Sequence, residues 1–182
     1  MALPTGPRPD WFRYADDFVV MARYQGAQLK GWIEHRLESW LGLVINREKT
    51  RTVQLKEEGQ ALNFLGYSFR FERDLKGRPW RYLNLFPSAK AMEKEREKIR
   101  ELTGPKHCHK PAKQLIEDLN RHLAGWKHYY HIGYCRRELR KMNCFLFRRL
   151  IRHLDRRSQR GYRRRRKESW YAFVLRLGLQ PL

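Results

Sequence analysis

The sequence predicts an α+β fold in which a small antiparallel sheet with one packed helix precedes a bundle of three helices. Short runs of β-branched and aromatic residues, separated by turn residues, recur along the first 87 positions. From Ser88 onward, apolar residues recur every three or four positions, which is the period of an amphipathic helix. This change of period predicts two domains, 1–87 and 88–182.

The first predicted element is a hairpin between Trp11 and Met21, with Asp16 and Asp17 at its turn. Asp is unfavourable inside a strand but common in turns. Two carboxylates at one tip can bind a divalent ion, because hard cations such as Mg²⁺ prefer oxygen ligands. An ordinary hairpin with an Asp-Asp turn gives the same pattern.

Apolar spacing next predicts a helix from about Gln28 to Leu41 that ends at Gly42 and packs across the sheet. Four strand-like runs follow it, at 43–45, 52–55, 62–71 and 80–86. A hairpin turn containing Gly77 joins the last two runs.

Three helices are predicted after the sheet, at 88–102, 111–130 and 136–155. Ser88 is the expected N-cap of the first, and Gly133 is expected to end the second. The aromatic stripe of the second helix is interpreted as core rather than as a platform for stacking bases. The apolar residues from Trp170 to Leu177 are expected to fold back onto the bundle.

The charge of the chain predicts a polyanionic partner. Forty Lys and Arg face 19 Asp and Glu in 182 residues, a net charge of +21, and most of the excess lies after residue 90. Arginines surround the third predicted helix, where like charges at helical spacing repel one another unless a polyanion neutralises them.

Other partners and compartments are less compatible with the sequence. No apolar run approaches the roughly 20 residues that cross a bilayer, so we expect no membrane association and a cytoplasmic, bacterial-type location. Three scattered cysteines argue against a disulfide framework. His107-Cys108-His109 lacks a second ligand pair, so a surface loop is expected there and no zinc.

Four motifs in order resemble one protein family. Tyr14-Ala15-Asp16-Asp17, in its hydrophobic frame, is similar to the catalytic motif of reverse transcriptases. Leu41-Gly42-Leu43 with the run 46–50 is similar to the next palm segment, and the run 63–69 to the segment that grips the primer. The run 119–130 resembles the maturase-specific, or thumb, domain of group II intron proteins. The chain thus resembles the C-terminal part of a group II intron reverse transcriptase/maturase, with late palm at 1–87 and thumb at 88–182.

This resemblance implies roles for the motif residues. Asp16 and Asp17 would bind catalytic Mg²⁺, and Tyr14 and Ala15 would form the floor of the nucleotide site. Lys49 would contact phosphate or donate a proton to pyrophosphate, with a solvated loop lysine as the alternative. Asn46 would contact the nucleotide or primer. The run Leu65-Gly66-Tyr67 would contact the primer, with a strand bulge at Gly66 as the alternative.

Intron RNA and the template-primer duplex are the partners that the resemblance implies. The basic residues expected to contact them are Lys113, Arg121, Lys127, Arg136, Arg137, Arg140, Arg148, Arg149, Arg152, Arg163, Arg164, Arg165, Arg166 and Lys167. Contacts of Lys and Arg with phosphates supply affinity without sequence specificity.

The family carries its other catalytic aspartate and its fingers well upstream of the Tyr-Ala-Asp-Asp motif, and we expect that the residues before Trp11 cannot supply either. We therefore expect an incomplete Mg²⁺ site, RNA binding without polymerisation by the chain alone, and a missing N-terminal reverse transcriptase portion as a partner. A non-catalytic maturase module that assists splicing is the alternative. A basic ribosomal-type protein would explain the charge but not the motifs. No endonuclease domain is expected after Leu182.

Overall fold

The computed structural model describes residues 9–24, 26–74, 77–157 and 167–182. The chain forms two compact units, Met1–Val53 and Gln54–Leu182, here called the N-terminal and C-terminal units. The predicted α+β class is confirmed, although the strands form two separate antiparallel sheets rather than one.

The N-terminal unit contains a hairpin and a helix. Strands β1 (Asp10–Tyr14) and β2 (Asp17–Met21) pair antiparallel, with Tyr14 opposite Asp17. Helix α1 (Ala27–His35) continues into a π-helical turn at Arg36–Trp40, as the apolar spacing predicted. It packs on the hairpin through the rings of Trp32 and Trp11, whose centroids are 6.1 Å apart.

The predicted strands at 43–45 and 52–55 are wrong, because neither run forms a strand. A β-strand is stabilised by backbone hydrogen bonds to a neighbouring strand, and neither run belongs to a pair of strands in the described part of the chain. Val44 is 94% exposed. The segment instead turns at Asn46, whose carbonyl oxygen accepts from the backbone N–H of Thr50 at 2.9 Å.

The C-terminal unit begins with the sheet β3 (Leu62–Phe64), β4 (Tyr67–Arg73) and β5 (Arg81–Pro87), in that order. The prediction of one continuous strand over 62–71 is wrong, because a two-residue turn at Leu65-Gly66 divides it. Both turn residues have positive φ, +49° and +78°, as the tight turns of β-hairpins require.

Four helices complete the C-terminal unit: α2 (Ala89–Leu102), α3 (Ala112–Tyr129), α4 (Arg136–Arg156) and the short α5 (Trp170–Arg176). The three long helices and the returning apolar segment match the predicted bundle. Ser88 is the N-cap of α2, accepting from the N–H of Ala91. Gly133 does not itself end α3, whose last residue is Tyr129.

The core of the C-terminal unit lies among these helices. The hydrophobic residues that are 0 to 1% exposed are Ile99, Leu115, Ile116, Leu119, Met142, Leu146, Leu150, Leu154, Phe173 and Val174. The sheet joins the bundle through Asn84 of β5, whose side-chain oxygen accepts from the N–H of Tyr134 at 2.9 Å. Position 87/88 lies inside this compact unit, and the division into domains 1–87 and 88–182 stays a prediction.

The C-terminal segment is held by two asparagines. Asn120 accepts from the N–H of Gln180 and donates to the carbonyl of Gly178. Asn143 accepts from the N–H of Leu182 and donates to its carbonyl oxygen, both at 2.9 Å. In the described part of the chain, no helix has the length and apolarity needed to cross a membrane.

Candidate nucleic-acid interface

The carboxylates of the N-terminal unit lie at the tip of the β1–β2 hairpin. Ala15 and Asp16 form its two-residue turn, Ala15 has φ +53°, and Asp17 begins β2. The side chain of Arg13 braces the turn by donating from Nε to the carbonyl of Ala15 at 2.8 Å. The turn thus presents two neighbouring carboxylates to solvent, beside the exposed ring of Tyr14.

This arrangement fits part of a Mg²⁺ site. Adjacent exposed carboxylates can supply oxygen ligands, and Mg²⁺ is often bound by one or two carboxylates together with substrate phosphates. Within the described ranges, no group of three or more His, Cys, Asp or Glu residues is placed to hold a metal ion. The roles of Asp16 and Asp17 stay predictions.

Lys49 and Asn46 share a turn in the N-terminal unit. The side-chain oxygen of Asn46 accepts from the N–H of Lys49 at 3.1 Å, and its carbonyl accepts from the hydroxyl of Thr50 at 2.8 Å. Asn46 thus holds the turn in shape, while the Lys49 side chain is exposed. Both the phosphate contact and the solvated-loop alternative remain compatible with this placement.

In the C-terminal unit, the Leu65-Gly66 turn is fixed to the end of α3. The hydroxyl of Tyr129 donates to the carbonyl of Leu65 at 2.9 Å, and the hydroxyl of Tyr67 donates to the carbonyl of Tyr129. A Cβ on Gly66 would lie 2.6 Å from the Tyr130 hydroxyl oxygen, so glycine allows this close approach. Gly66 is therefore a turn residue and not the strand bulge that was the alternative.

The same contacts place Tyr67 in the interior. Its ring centroid lies 5.0 Å from that of Tyr130 and 5.7 Å from that of Tyr129, and its side chain is 9% exposed. Burial, together with the neighbouring Tyr129 and Cys135, raises the pKa of the Tyr67 phenol. The part of the turn that faces solvent is Leu65, which is 37% exposed.

A groove of about 750 Å³ lies between α2 and α3. Both carboxylate oxygens of Glu95, a buried residue that lines it, lie 2.9 Å from Nε2 of His122. Burial raises the pKa of Glu95 although His122 opposes this shift. The groove carries charges of both signs, since its other charged lining residues are Lys94, Glu97, Lys98, Glu101 and Arg121.

The three predicted cations of α3 do not form one surface. At 3.6 residues per turn, Lys113 and Lys127 lie on a similar side of the helix, whereas Arg121 lies roughly 80° around it from Lys113. Arg121 is also 3.7 Å from a carboxylate oxygen of Asp118. All three side chains are exposed. Helix α3 therefore presents separate cations rather than a patch.

Helix α4, by contrast, presents a continuous surface that we call the basic face. Its exposed members are Arg136, Arg137, Arg140, Lys141, Arg148, Arg152 and Arg156. The buried residues Met142, Leu146 and Leu150 lie on the opposite side of the helix. Within the described residues, the only ion pair of the basic face joins Lys141 to Glu138 at 4.0 Å. The face thus carries a large excess of positive charge in the part of the chain that the structure describes.

Arg149 differs from the basic face because it is half-buried where α4 meets the end of α2. Its Nε donates to the hydroxyl oxygen of Thr103 at 3.4 Å. Burial, followed by the nearby charges of Arg152, Arg156 and Arg100, lowers the pKa of its guanidinium. Arg100 was not among the predicted contacts, because it comes near Arg149 only through the packing of α2 on α4.

His153 lies beneath this junction and is 1% exposed. Its Nδ1 is 3.1 Å from the carbonyl oxygen of Thr103, and a carbonyl can only accept, so Nδ1 carries the proton. Its Nε2 is buried and has no hydrogen-bond partner in the described part of the chain. Burial, with the nearby charges of Arg157, Arg156 and His107, lowers the pKa of His153.

The remaining predicted contacts follow α4. Arg163, Arg164, Arg165 and Arg166 lie outside the described residues. Lys167 is described and exposed, with φ +63°. These five residues stay predicted RNA contacts.

Comparison with known families bears on the helical part of the C-terminal unit. Residues 92–171 match the family model of the group II intron, maturase-specific domain. This maturase-specific segment begins at Met92 in the first turn of α2 and ends at Tyr171 in α5, so it contains the whole of α3 and α4. It supports the predicted maturase C-terminal region, and it does not extend to the Asp16-Asp17 hairpin. No curated protein matches the chain.

The basic face and the α2–α4 junction both lie within the maturase-specific segment. The sequence pattern identified most of these cations, because arginines on a helix are visible in its 3.6-residue period. It missed Arg100 and Thr103, since nothing in the sequence of α2 indicates which helix its last turn contacts.

Proposed function

We propose that the chain is an RNA-binding module of the group II intron maturase type, with the basic face of α4 as its principal contact surface. The match of residues 92–171 to the maturase-specific domain carries this proposal. The exposed guanidiniums of the basic face support it, since none of them forms an ion pair with a carboxylate among the described residues. Intron RNA is the partner, and phosphate contacts supply most of its affinity.

A titration with structured intron RNA at increasing salt tests this proposal. We expect the affinity to fall steeply, because each phosphate contact releases counterions when it forms. Neutralising Arg136, Arg140, Arg148 and Arg152 to Gln should weaken binding and flatten the salt dependence. The matched control replaces Arg47, Arg73, Arg78 and Arg96 by Gln, because these four are already paired with carboxylates.

The two sets of variants change the net charge equally, so they separate a defined surface from general attraction. A larger loss in the basic-face variant supports the proposal. Equal losses in both variants, or no binding of RNA by the unaltered chain, would contradict it.

A second candidate function is nucleotidyl transfer to a primer held on an RNA template. The observation that favours it is the β1–β2 turn, which presents Asp16 and Asp17 beside Tyr14 and the positive-φ Ala15. In this proposal the two carboxylates hold Mg²⁺, which neutralises phosphate charge when bound. Lys49 contacts phosphate, Asn46 shapes its turn, and Leu65 with Gly66 contacts the primer.

We expect the chain alone not to polymerise, because two adjacent carboxylates from one turn are a small ligand set for a two-metal site. Primer extension on poly-rA/oligo-dT with Mg²⁺ tests this expectation. Extension that is abolished by Asp16→Ala, and retained by Asp10→Ala at the exposed start of β1, would contradict the expected inactivity and support the enzymatic candidate.

A further inference from the structure

We propose that the junction of α2 and α4 binds a single phosphate group of the RNA backbone, held by Arg100, Arg149, Arg152 and Arg156. We call these four residues the arginine cluster. The inference rests on the proposed function and names the ligand group and the residues that bind it. The basic face is a broad surface, whereas the arginine cluster is a localised site at one end of it.

Two helix contacts bring the cluster together. The guanidinium carbon of Arg100 lies 5.3 Å from the ring centroid of Phe145. One turn further along α4, Nε of Arg149 donates to the hydroxyl of Thr103, the residue that caps the C-terminal end of α2. The last turn of α2 and the middle of α4 thus place two guanidiniums close together.

Arg152 and Arg156 extend the cluster along α4. They follow Arg149 by three and seven residues, which places all three near one side of the helix. At 1.5 Å per residue, Arg149 and Arg156 are separated by roughly 10 Å along the helix axis. Both added side chains are exposed and can turn towards a ligand.

Among the described residues, the carboxylate paired with the cluster is that of Glu93. Glu93 pairs with Arg100 at 2.8 Å and with Arg96 at 2.9 Å, so its charge is shared. The three cluster arginines of α4 have no ion pair among the described residues. The partial negative charge at the end of α2 favours a cation there, but the Thr103 carbonyl already accepts from His153.

A phosphate group of the RNA backbone fits this arrangement. A guanidinium presents a planar fork of N–H donors that matches phosphate oxygens, and several such forks can share one phosphate. Because Arg149 is half-buried and fixed by Thr103, less side-chain freedom is lost when the ligand binds. A lysine at position 149 would keep the charge but lacks this planar fork of donors.

The first test uses inorganic phosphate with the full chain at constant ionic strength. Phosphate should raise the unfolding temperature of the unaltered chain more than that of Arg149→Gln. Arg73→Gln is the matched control, since Arg73 at the end of β4 is exposed, paired with Glu58 and outside both the cluster and the basic face. Equal stabilisation of all three proteins by phosphate would overturn the site.

The second test compares RNA affinities at one salt concentration. Arg149→Lys should lose about five- to tenfold in affinity because the fork is lost, whereas Arg73→Lys should change it by less than about twofold. Equal effects of the two substitutions would overturn the site while leaving the proposed function intact. Absence of RNA binding in every variant would contradict the proposed function, and the phosphate test would still decide the site.

Vesicles containing phosphatidylglycerol provide a third comparison, because lipid headgroups also carry phosphate. We expect Arg149→Lys to affect RNA binding more than vesicle binding. A loss of vesicle binding with unchanged RNA affinity would overturn the assignment to RNA.

Discussion

The carbonyl oxygen of Leu85 occupies the space that a side chain at Gly133 would need. A Cβ on Gly133 would lie 2.2 Å from that oxygen, and Gly133 has φ +87°. This approach lets the loop after α3 lie against β5, where Asn84 bonds the backbone of Tyr134. Glycine is therefore required both by its conformation and by the space available.

Replacing Gly133 with Ala should lower the free energy of unfolding by about 2–4 kcal/mol, from strain at positive φ and from the clash with Leu85. Urea denaturation followed by far-UV circular dichroism measures the change. Gly125→Ala is the control, because Gly125 lies in α3 with nothing within 4 Å of a new Cβ. The free energy of unfolding of that variant should rise by about 0.5–1 kcal/mol. A decrease as large as that of Gly133→Ala would contradict the prediction.

Asn143→Ala should release the C-terminal segment from α4. The substitution removes both hydrogen bonds to the backbone of Leu182, at a cost of about 1–2 kcal/mol. Hydrogen exchange should become faster at Leu182 while the protection of the core of α4 is kept. Asn63→Ala, at an exposed position of β3, should leave this exchange unchanged. Unchanged exchange at Leu182 in Asn143→Ala would show that other contacts hold the segment.

His153 should make stability fall as the pH becomes acidic. The folded state lowers the pKa of His153 below its ordinary 6.5, so the unfolded chain takes up the proton first. The stabilising effect is complete above about pH 6.5 and is lost as the pH falls through the lower pKa of the folded state. Between these two pKa values, the free energy of unfolding can change by about 1.4 kcal/mol per pH unit.

His153→Gln should remove this pH dependence, because the amide can donate to the Thr103 carbonyl but cannot become charged. Urea denaturation at several pH values measures it. His109→Gln, at an exposed position, is the control and should keep the slope of the unaltered chain. An unchanged slope in His153→Gln would contradict the prediction.

Glu95 should act in the opposite direction. Burial raises its pKa above the ordinary 4.5, so the folded state holds the proton more tightly than the unfolded chain does. The stability that this proton provides is lost as the pH rises through the raised pKa. Glu95→Gln should therefore gain stability relative to the unaltered chain as the pH increases from about 4.5.

Glu93→Gln is the matched control on the same helix. Hydrogen bonds from Arg100 and Arg96 lower the pKa of Glu93. The stability that the ionised Glu93 provides is therefore present at higher pH and is lost as the pH falls. The two Gln variants should show opposite trends in a series of denaturation curves. The same trend in both would contradict the assignment for Glu95.

The amino-acid sequence alone determined the helices of the C-terminal unit and the hairpin at Asp16-Asp17. Their signals are local, because the helical period, the Ser88 cap and the Asp-Asp turn each depend on residues close in sequence. The continuous strand predicted over 62–71 failed for the opposite reason. Its Leu65-Gly66 turn is fixed by Tyr129 and Tyr130, which are distant in sequence.

Tertiary structure alone decided which charges lie together. The cations of α4 were visible in its sequence, but the pairing of Arg149 with Thr103 and the proximity of Arg100 depend on how α2 packs on α4. The burial of Glu95 and His153 likewise follows from the packing of the helices. Sequence period indicates which face of a helix is buried, whereas the neighbour that covers it is chosen by the complementary shapes of distant segments.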